Sequence, residues 1–188
     1  MTINQIIKNT AIMLGLSDVV ELIESKPSKT ELRRNDNYVL LLRCINLVAS
    51  NIASNYRPLE TSETLSTTAG NRIDFSRLSH SVLKIMDVRS PVTNWRVPFT
   101  LFTDHITVSN PGSFRVIYTF VPHFETGNEY NPFQFSDEVL TYGTAAEYAF
   151  INGMFSEAQV WNIKLENLLF NTKRKCGENI TMPATFRR

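Results

Sequence analysis

Three histidines, two cysteines and one adjacent acid pair are the residues whose types could carry reactive chemistry. His80, His105 and His123 lie far apart and lack the short spacings of a metal site. They read as surface or turn histidines. Cys44 falls within a strongly apolar helical stretch and reads as a small core residue. A nucleophilic role would need a neighbouring base that the sequence does not identify. Neither Cys44 nor Cys176 belongs to a C-x-x-C pair, and both are expected to stay reduced. Asp137 and Glu138 are adjacent, so on a helix their side chains diverge. Their place at a predicted helix start makes them partners of the helix dipole. No P-loop, G-x-G-x-x-G, H-E-x-x-H or G-x-S-x-G motif occurs. The residues thus point away from an enzyme, and imply no metal and no cofactor.

Composition narrows the remaining classes. With 43% hydrophobic and 20% charged residues, the 188-residue chain has the make-up of an ordinary globular domain. A net charge of +1 gives no bulk attraction for nucleic acid. No apolar run reaches the eighteen or so residues of a membrane span, and Met1 to Leu14 lacks a signal-peptide core. Assembly in a cytoplasm is therefore expected. Asn179-Ile180-Thr181 fits a glycosylation acceptor, a match without consequence there.

The elements that would position these residues read as helices, then strands, then helices. Thr2 and Gln5 have capping-box spacing, Ile3, Ile6 and Ile7 line one side, and Gly15 stops the first helix. A short helix from Asp18 to Glu24 ends before Pro27. Tyr38, Leu41, Leu42, Ile45, Val48, Ala49, Ile52 and Tyr56 follow helical periodicity until Pro58. Strands are predicted at Glu63–Thr67, Val82–Val88, Thr93–Phe99, Ile106–Ser109 and Ser113–Val121. In the last of these Phe114, Val116, Tyr118 and Phe120 alternate, and Asn110-Pro111-Gly112 supplies a turn that would join the final two strands as a hairpin. Asn94 and Trp95 are placed near another hairpin tip, where an exposed aromatic suits an interface.

An aromatic loop from His123 to Phe135 leads to a helix begun by Ser136, with Val139, Tyr142, Ala146, Ala149, Phe150 and Gly153 on one face. A turn near Gly153 leads to the last helix, with Ser156 and Gln159 at capping-box spacing. Ala158, Trp161, Leu165, Leu168 and Leu169 line its buried side. The two should form an antiparallel hairpin. After about Asn171 the pattern stops, and a basic tail that orders on a partner is expected. The fold class is α+β: a helical bundle with an inserted antiparallel β-domain and an extended C-terminal tail. The predicted divisions are 1–58 for the N-terminal helices, 59–122 for the β-domain, 123–171 for the loop and hairpin, and 172–188 for the tail.

This order of elements resembles the head–tail connector (adaptor) proteins of tailed bacteriophages, in the short-tailed phage form with a β-insertion. The likeness rests on the Asn37–Tyr56 helix with Arg57-Pro58, the segment Asn71-Arg72-Ile73-Asp74-Phe75, the strand from Phe114 to Pro122, and Tyr142–Gly153 leading to Ala158-Gln159-Val160-Trp161. The resemblance implies a homo-oligomeric ring, usually dodecameric, beneath the portal in the virion neck. It would contact portal and tail or nozzle proteins, with DNA only passing through and no membrane involved. It further implies that the tail, with Lys173, Arg174, Lys175, Phe186, Arg187 and Arg188, docks into the portal. Asn94 and Trp95 would serve a tail-side or subunit interface. Two alternatives stay open on the residues alone: another neck or tail-completion ring protein, and a small nucleic-acid-binding module using the basic tail.

Overall fold

The computed structural model describes residues 1–125, 129–133 and 136–175, the last four without their side chains. Among the described residues the chain is a mixture of helix and sheet, with six α-helices and two small antiparallel sheets. Two compact units divide it, Met1–Ile45 with Gln134–Arg188, and Asn46–Phe133. The second unit takes in half of one helix together with the strands.

In the helical unit, α1 (Ile3–Leu14) begins with the expected capping box: Thr2 Oγ1 accepts from Gln5 N–H, and Gln5 Oε1 accepts from Thr2 N–H. Gly15 ends it at φ 73°, in the left-handed region that a side chain would strain. Ile3, Ile6, Ile7, Thr10 and Ala11 are its buried face. Thr10 can be buried because its hydroxyl donates to the Ile6 carbonyl at 2.9 Å. Next come α2 (Ser17–Glu24) and a short α3 (Lys29–Leu32). The sequence reading missed α3, although Ser28 and Glu31 form its capping box. The long α4 (Asp36–Asn55) is started by Asn35, whose Oδ1 accepts from Tyr38 N–H at 2.8 Å. Its predicted core residues Tyr38, Leu41, Ile45, Val48, Ala49 and Ile52 are buried, whereas Tyr56 is exposed.

α5 (Glu138–Ile151) and α6 (Phe155–Lys175) form the predicted hairpin, turned at Gly153. Ser136 Oγ accepts from Glu138 N–H, as its position at the helix start suggested. The face predicted for α5 is buried at Val139, Ala146 and Ala149, and burial extends beyond it. α5 touches both α1 and α6, so Leu140, Gly143, Thr144 and Ala145 are buried as well, while Phe150 is exposed. In α6 the predicted capping box is displaced: Phe155 is already helical, so Ser156 sits inside the first turn. The helix also runs one turn past Asn171, to Lys175.

The β-rich unit holds two three-stranded sheets. In the first, β6 (Ser113–Phe120) lies between β1 (Leu59–Ser66) and β3 (Val82–Arg89). In the second, β5 (His105–Val108) lies between β2 (Arg72–Asp74) and β4 (Phe99–Leu101). One cluster of buried side chains draws on both sheets: Ile73 and Ile106 from the second, Val88, Val116 and Tyr118 from the first. The arrangement is a small sandwich. The alternating residues of β6 point into it as predicted.

Two strand predictions are corrected. β5 and β6 pair with strands of different sheets, so Asn110-Pro111-Gly112 crosses between sheets and closes no hairpin. Gly112 bonds instead to Thr67 beyond the end of β1, through its carbonyl at 2.9 Å and its N–H at 3.1 Å. The predicted strand Thr93–Phe99 is a loop with one bridge at Arg96, and β4 starts only at Phe99. Pro98, which has no N–H to donate, separates the two.

Candidate functional site

β3 leads into a projecting turn at Ser90–Trp95. Ser90 N–H donates to the Trp95 carbonyl and Asn94 N–H to the Ser90 carbonyl, both at 2.9 Å, and Val97 N–H returns to the Val88 carbonyl at 2.8 Å. Asn94 takes φ 57°, a conformation asparagine enters more readily than most residues. The fold therefore puts Asn94 and Trp95 at a hairpin tip, as the sequence predicted. There Val92 is 90% exposed and Trp95 78% exposed.

The tip stands on an ion cluster that the sequence reading missed. Asp87 is buried in β3, and its carboxylate accepts from Arg96 Nε at 2.7 Å, Arg89 Nε at 2.8 Å and Val88 N–H at 3.0 Å. Burial pushes the Asp87 carboxyl up, but the bonds from Arg96, Arg89 and Val88 outweigh it and hold it below the ordinary carboxylate range. The two arginines flank the turn, so one carboxylate closes the base of the hairpin. The signal was a lone acid in an apolar strand, two residues before Arg89.

A second carboxylate fastens another loop. The Tyr118 hydroxyl donates to Glu63 from inside the core, and Ser79 adds its N–H at 3.1 Å and its hydroxyl at 3.0 Å. Burial raises the Glu63 pKa, and the bonds from Tyr118 and Ser79 lower it by more. Burial, then the Glu63 hydrogen bond and charge, push the Tyr118 phenol well above its ordinary value.

The histidines are not brought together. His80 stacks on Phe120 at 4.3 Å, His105 bonds Asp104 at 2.6 Å and stacks on Phe102, and His123 is exposed. Among the described residues no three His, Cys, Asp or Glu side chains cluster as a metal site, and no helix is long and apolar enough to cross a membrane. Cys44 is buried as predicted. Desolvation, with the Glu147 charge second, pushes its thiol up to about 11, which makes it unreactive near neutrality.

The helical unit carries a different surface. α6 buries Ala158 and Leu169, and its Trp161 stacks on Tyr142 of α5 at 5.8 Å with Lys164 over it at 4.4 Å. On the far side Val160, Ile163 and Phe170 are each more than half exposed, as are Phe155 and Phe150 at the edge where α6 meets α5. Between the two helices opens a groove of about 440 Å³, lined by Ala146, Phe150, Phe155 and Ala158 with Glu147 and Gln159 among its polar atoms. The sequence reading found the inner face of α6 and overlooked the outer one. Its signal was apolar residues on both sides of the helix.

The predicted docking tail is split by the helix boundary. The backbone of Lys173, Arg174 and Lys175 is the last turn of α6, while Phe186, Arg187 and Arg188 lie outside the described residues. No protein-family model matches this sequence, and no curated protein matches it.

Proposed function

We propose that this chain is a structural head–tail adaptor of a tailed bacteriophage. In this reading copies of it form a ring beneath the portal, join the capsid vertex to the tail, and leave a channel for DNA. It does no chemistry of its own. One observation carries the reading: Val92 and Trp95 stand almost wholly in solvent on a turn whose base is clamped by Asp87. An exposed aromatic on a turn with a fixed backbone is a costly surface for a lone protein and an efficient interface anchor, because little backbone freedom is left to lose on binding. The described carboxylates and histidines support a structural role too, since those with partners hold loops and stack on rings. A ring needs two different complementary patches on each subunit. The hairpin tip and a surface of the helical unit would supply them.

The test is electron microscopy and co-sedimentation of the full chain with portal rings. The expected outcome is a ring bound to the portal vertex. Loss of residues 173–188, the docking segment of this reading, should abolish portal binding while the rest of the chain stays folded, and Trp95→Ala should weaken ring formation or tail attachment. A chain that neither forms rings nor binds portal in any condition overturns the reading.

A further inference from the structure

The two outer strands of the first sheet treat their free edges differently. The edge of β3 is closed at one end, where Val97 N–H returns to the Val88 carbonyl and Arg89 bridges to Arg96, and two register shifts interrupt the rest. β1 runs beside β6 in one unbroken register over its full length, with no bulge and no proline. Thr67 N–H donates to the Gly112 carbonyl in step with that register, so the odd-numbered residues of β1 turn their backbone groups toward β6. The even-numbered ones turn theirs outward. Ser66 agrees with this, because its carbonyl accepts from Arg77 Nη1 at 2.6 Å. The exposed residues Glu60, Ser62 and Thr64 find no partner for their N–H and C=O groups among the described residues. Such an edge is a template for another strand.

The residues of β1 select the occupant. Leu59-Glu60-Thr61-Ser62-Glu63-Thr64-Leu65 carries a leucine at equal distance on either side of Ser62. We infer that two copies of this chain join their β1 strands antiparallel, about a two-fold axis at Ser62, into one continuous sheet. The inference goes beyond the adaptor reading and does not rest on it. In this register Glu60 faces Thr64 and Ser62 faces Ser62 through their outward backbone groups, for about six hydrogen bonds in all. Leu59 faces Leu65 on the inner side of the strand, where Leu65 already packs against the sandwich core. The contact is isologous and closes on itself, so growth stops at two copies.

The ends of the overlap and the charges exclude the neighbouring registers. With the axis at Ser62, the outward pair beyond Leu59 and Leu65 is Pro58 with Ser66. Pro58 has no N–H to give, and the Ser66 carbonyl that would receive it is already taken by Arg77. An axis at Glu63 would set the two Glu63 carboxylates directly opposite each other and aim Glu60 N–H at that occupied carbonyl. An axis at Thr61 would leave the Thr64 carbonyl facing Pro58. With the axis at Ser62, Glu63 faces Thr61 instead. The two Glu63 carboxylates then stand on a diagonal, each already held by Tyr118 and Ser79.

Light scattering on the full-length protein should give a mass that rises with concentration from 21.5 kDa toward twice that value. Ser62→Lys changes an exposed position in the single chain but sets like charges face to face in the pair. It should return the mass to one chain at unchanged circular dichroism, and Ser62→Glu should do the same. Mixing the two variants should restore pairing, because lysine then faces glutamate. In a Cys176→Ser background, with Cys44 buried, Ser62→Cys should crosslink to itself through a short bismaleimide. Ser66→Cys, which faces Pro58 of the other copy, should not. A monomer at every concentration, a pair indifferent to Ser62→Lys, or equal crosslinking at Ser66→Cys overturns the proposal. So does a chain that pairs only after removal of residues 176–188, since that segment would then occupy the edge.

Discussion

In the helical unit, the partly buried tyrosine bonds between helices are neutral, and the charged ones, Lys8 to Glu24 at 2.8 Å and Asn37 to Asp18 at 3.0 Å, lie at the surface. Tyr38 Oη donates to Asn4 at 2.8 Å and Tyr148 Oη to Asn37 at 3.0 Å, while α1, α4 and α5 bury apolar faces. In the β-rich unit two carboxylates do the joining, Asp87 beneath the Ser90–Trp95 turn and Glu63 beneath Ser79. The difference follows from where backbone bonds are made. A helix satisfies its own N–H and C=O groups, so its placement needs only an apolar face and its caps. A loop leaving a short strand has no such ladder, and a charged acceptor that gathers several donors is the strongest local substitute.

Four substitutions probe this contrast. The largest effects belong to the two cores. Ile6→Ala and Ile106→Ala remove completely buried side chains from the helical and β-rich units, and each should lower the unfolding free energy by about 3 kcal/mol in urea titrations. A loss at Ile106 below about 1 kcal/mol would mean that the sandwich core collapses around the gap.

Next comes Asp87→Asn, which leaves two guanidinium groups without their anion. It should cost about 2 kcal/mol, the scale of hydrogen bonds to a charged group. Exposure of Arg96 keeps it from costing more, because water can take the place of the lost partner. The pH dependence has a definite sign. The Asp87 carboxyl is held below its ordinary value, so its contribution is complete above about pH 4 and fades as pH falls through the folded-state value. Wild type should lose stability across that acidic window, and the Asn variant should lose less. Equal acid profiles would show that the clamp adds nothing.

The smallest effect is at a cap. Thr2→Ala removes the acceptor for Gln5 N–H and should cost about 1 kcal/mol, seen as a lower thermal midpoint by circular dichroism at 222 nm. An unchanged midpoint would mean that α1 is held by Ile3, Ile6 and Ile7 alone.

Local information was enough wherever a residue's role depends on near neighbours. The Thr2–Gln5 box, the Gly15 stop, the apolar face of α4 and the alternation along β6 all involve residues within a few positions of one another, and each is present as read. Asn94 and Trp95 were legible as a tip because turn chemistry is also local. Ser28 and Glu31 were just as legible and were passed over, since four residues of helix make no periodic pattern.

Partner choice over distance was decided by the tertiary structure. Asn110-Pro111-Gly112 has the chemistry of a hairpin turn, but β6 gains more by lying between β1 and β3, where Tyr118 reaches Glu63 and the core. Nothing adjacent to Asp87 in sequence announces that Arg96, nine residues on, closes on it. Likewise, the inner face of α6 was read from its periodicity, but that Val160, Ile163 and Phe170 stay exposed follows only from where α5 packs. Periodicity reports that a side of a helix or strand is apolar. Which surface meets it is set by long-range contacts, whose free energy depends on the whole chain at once.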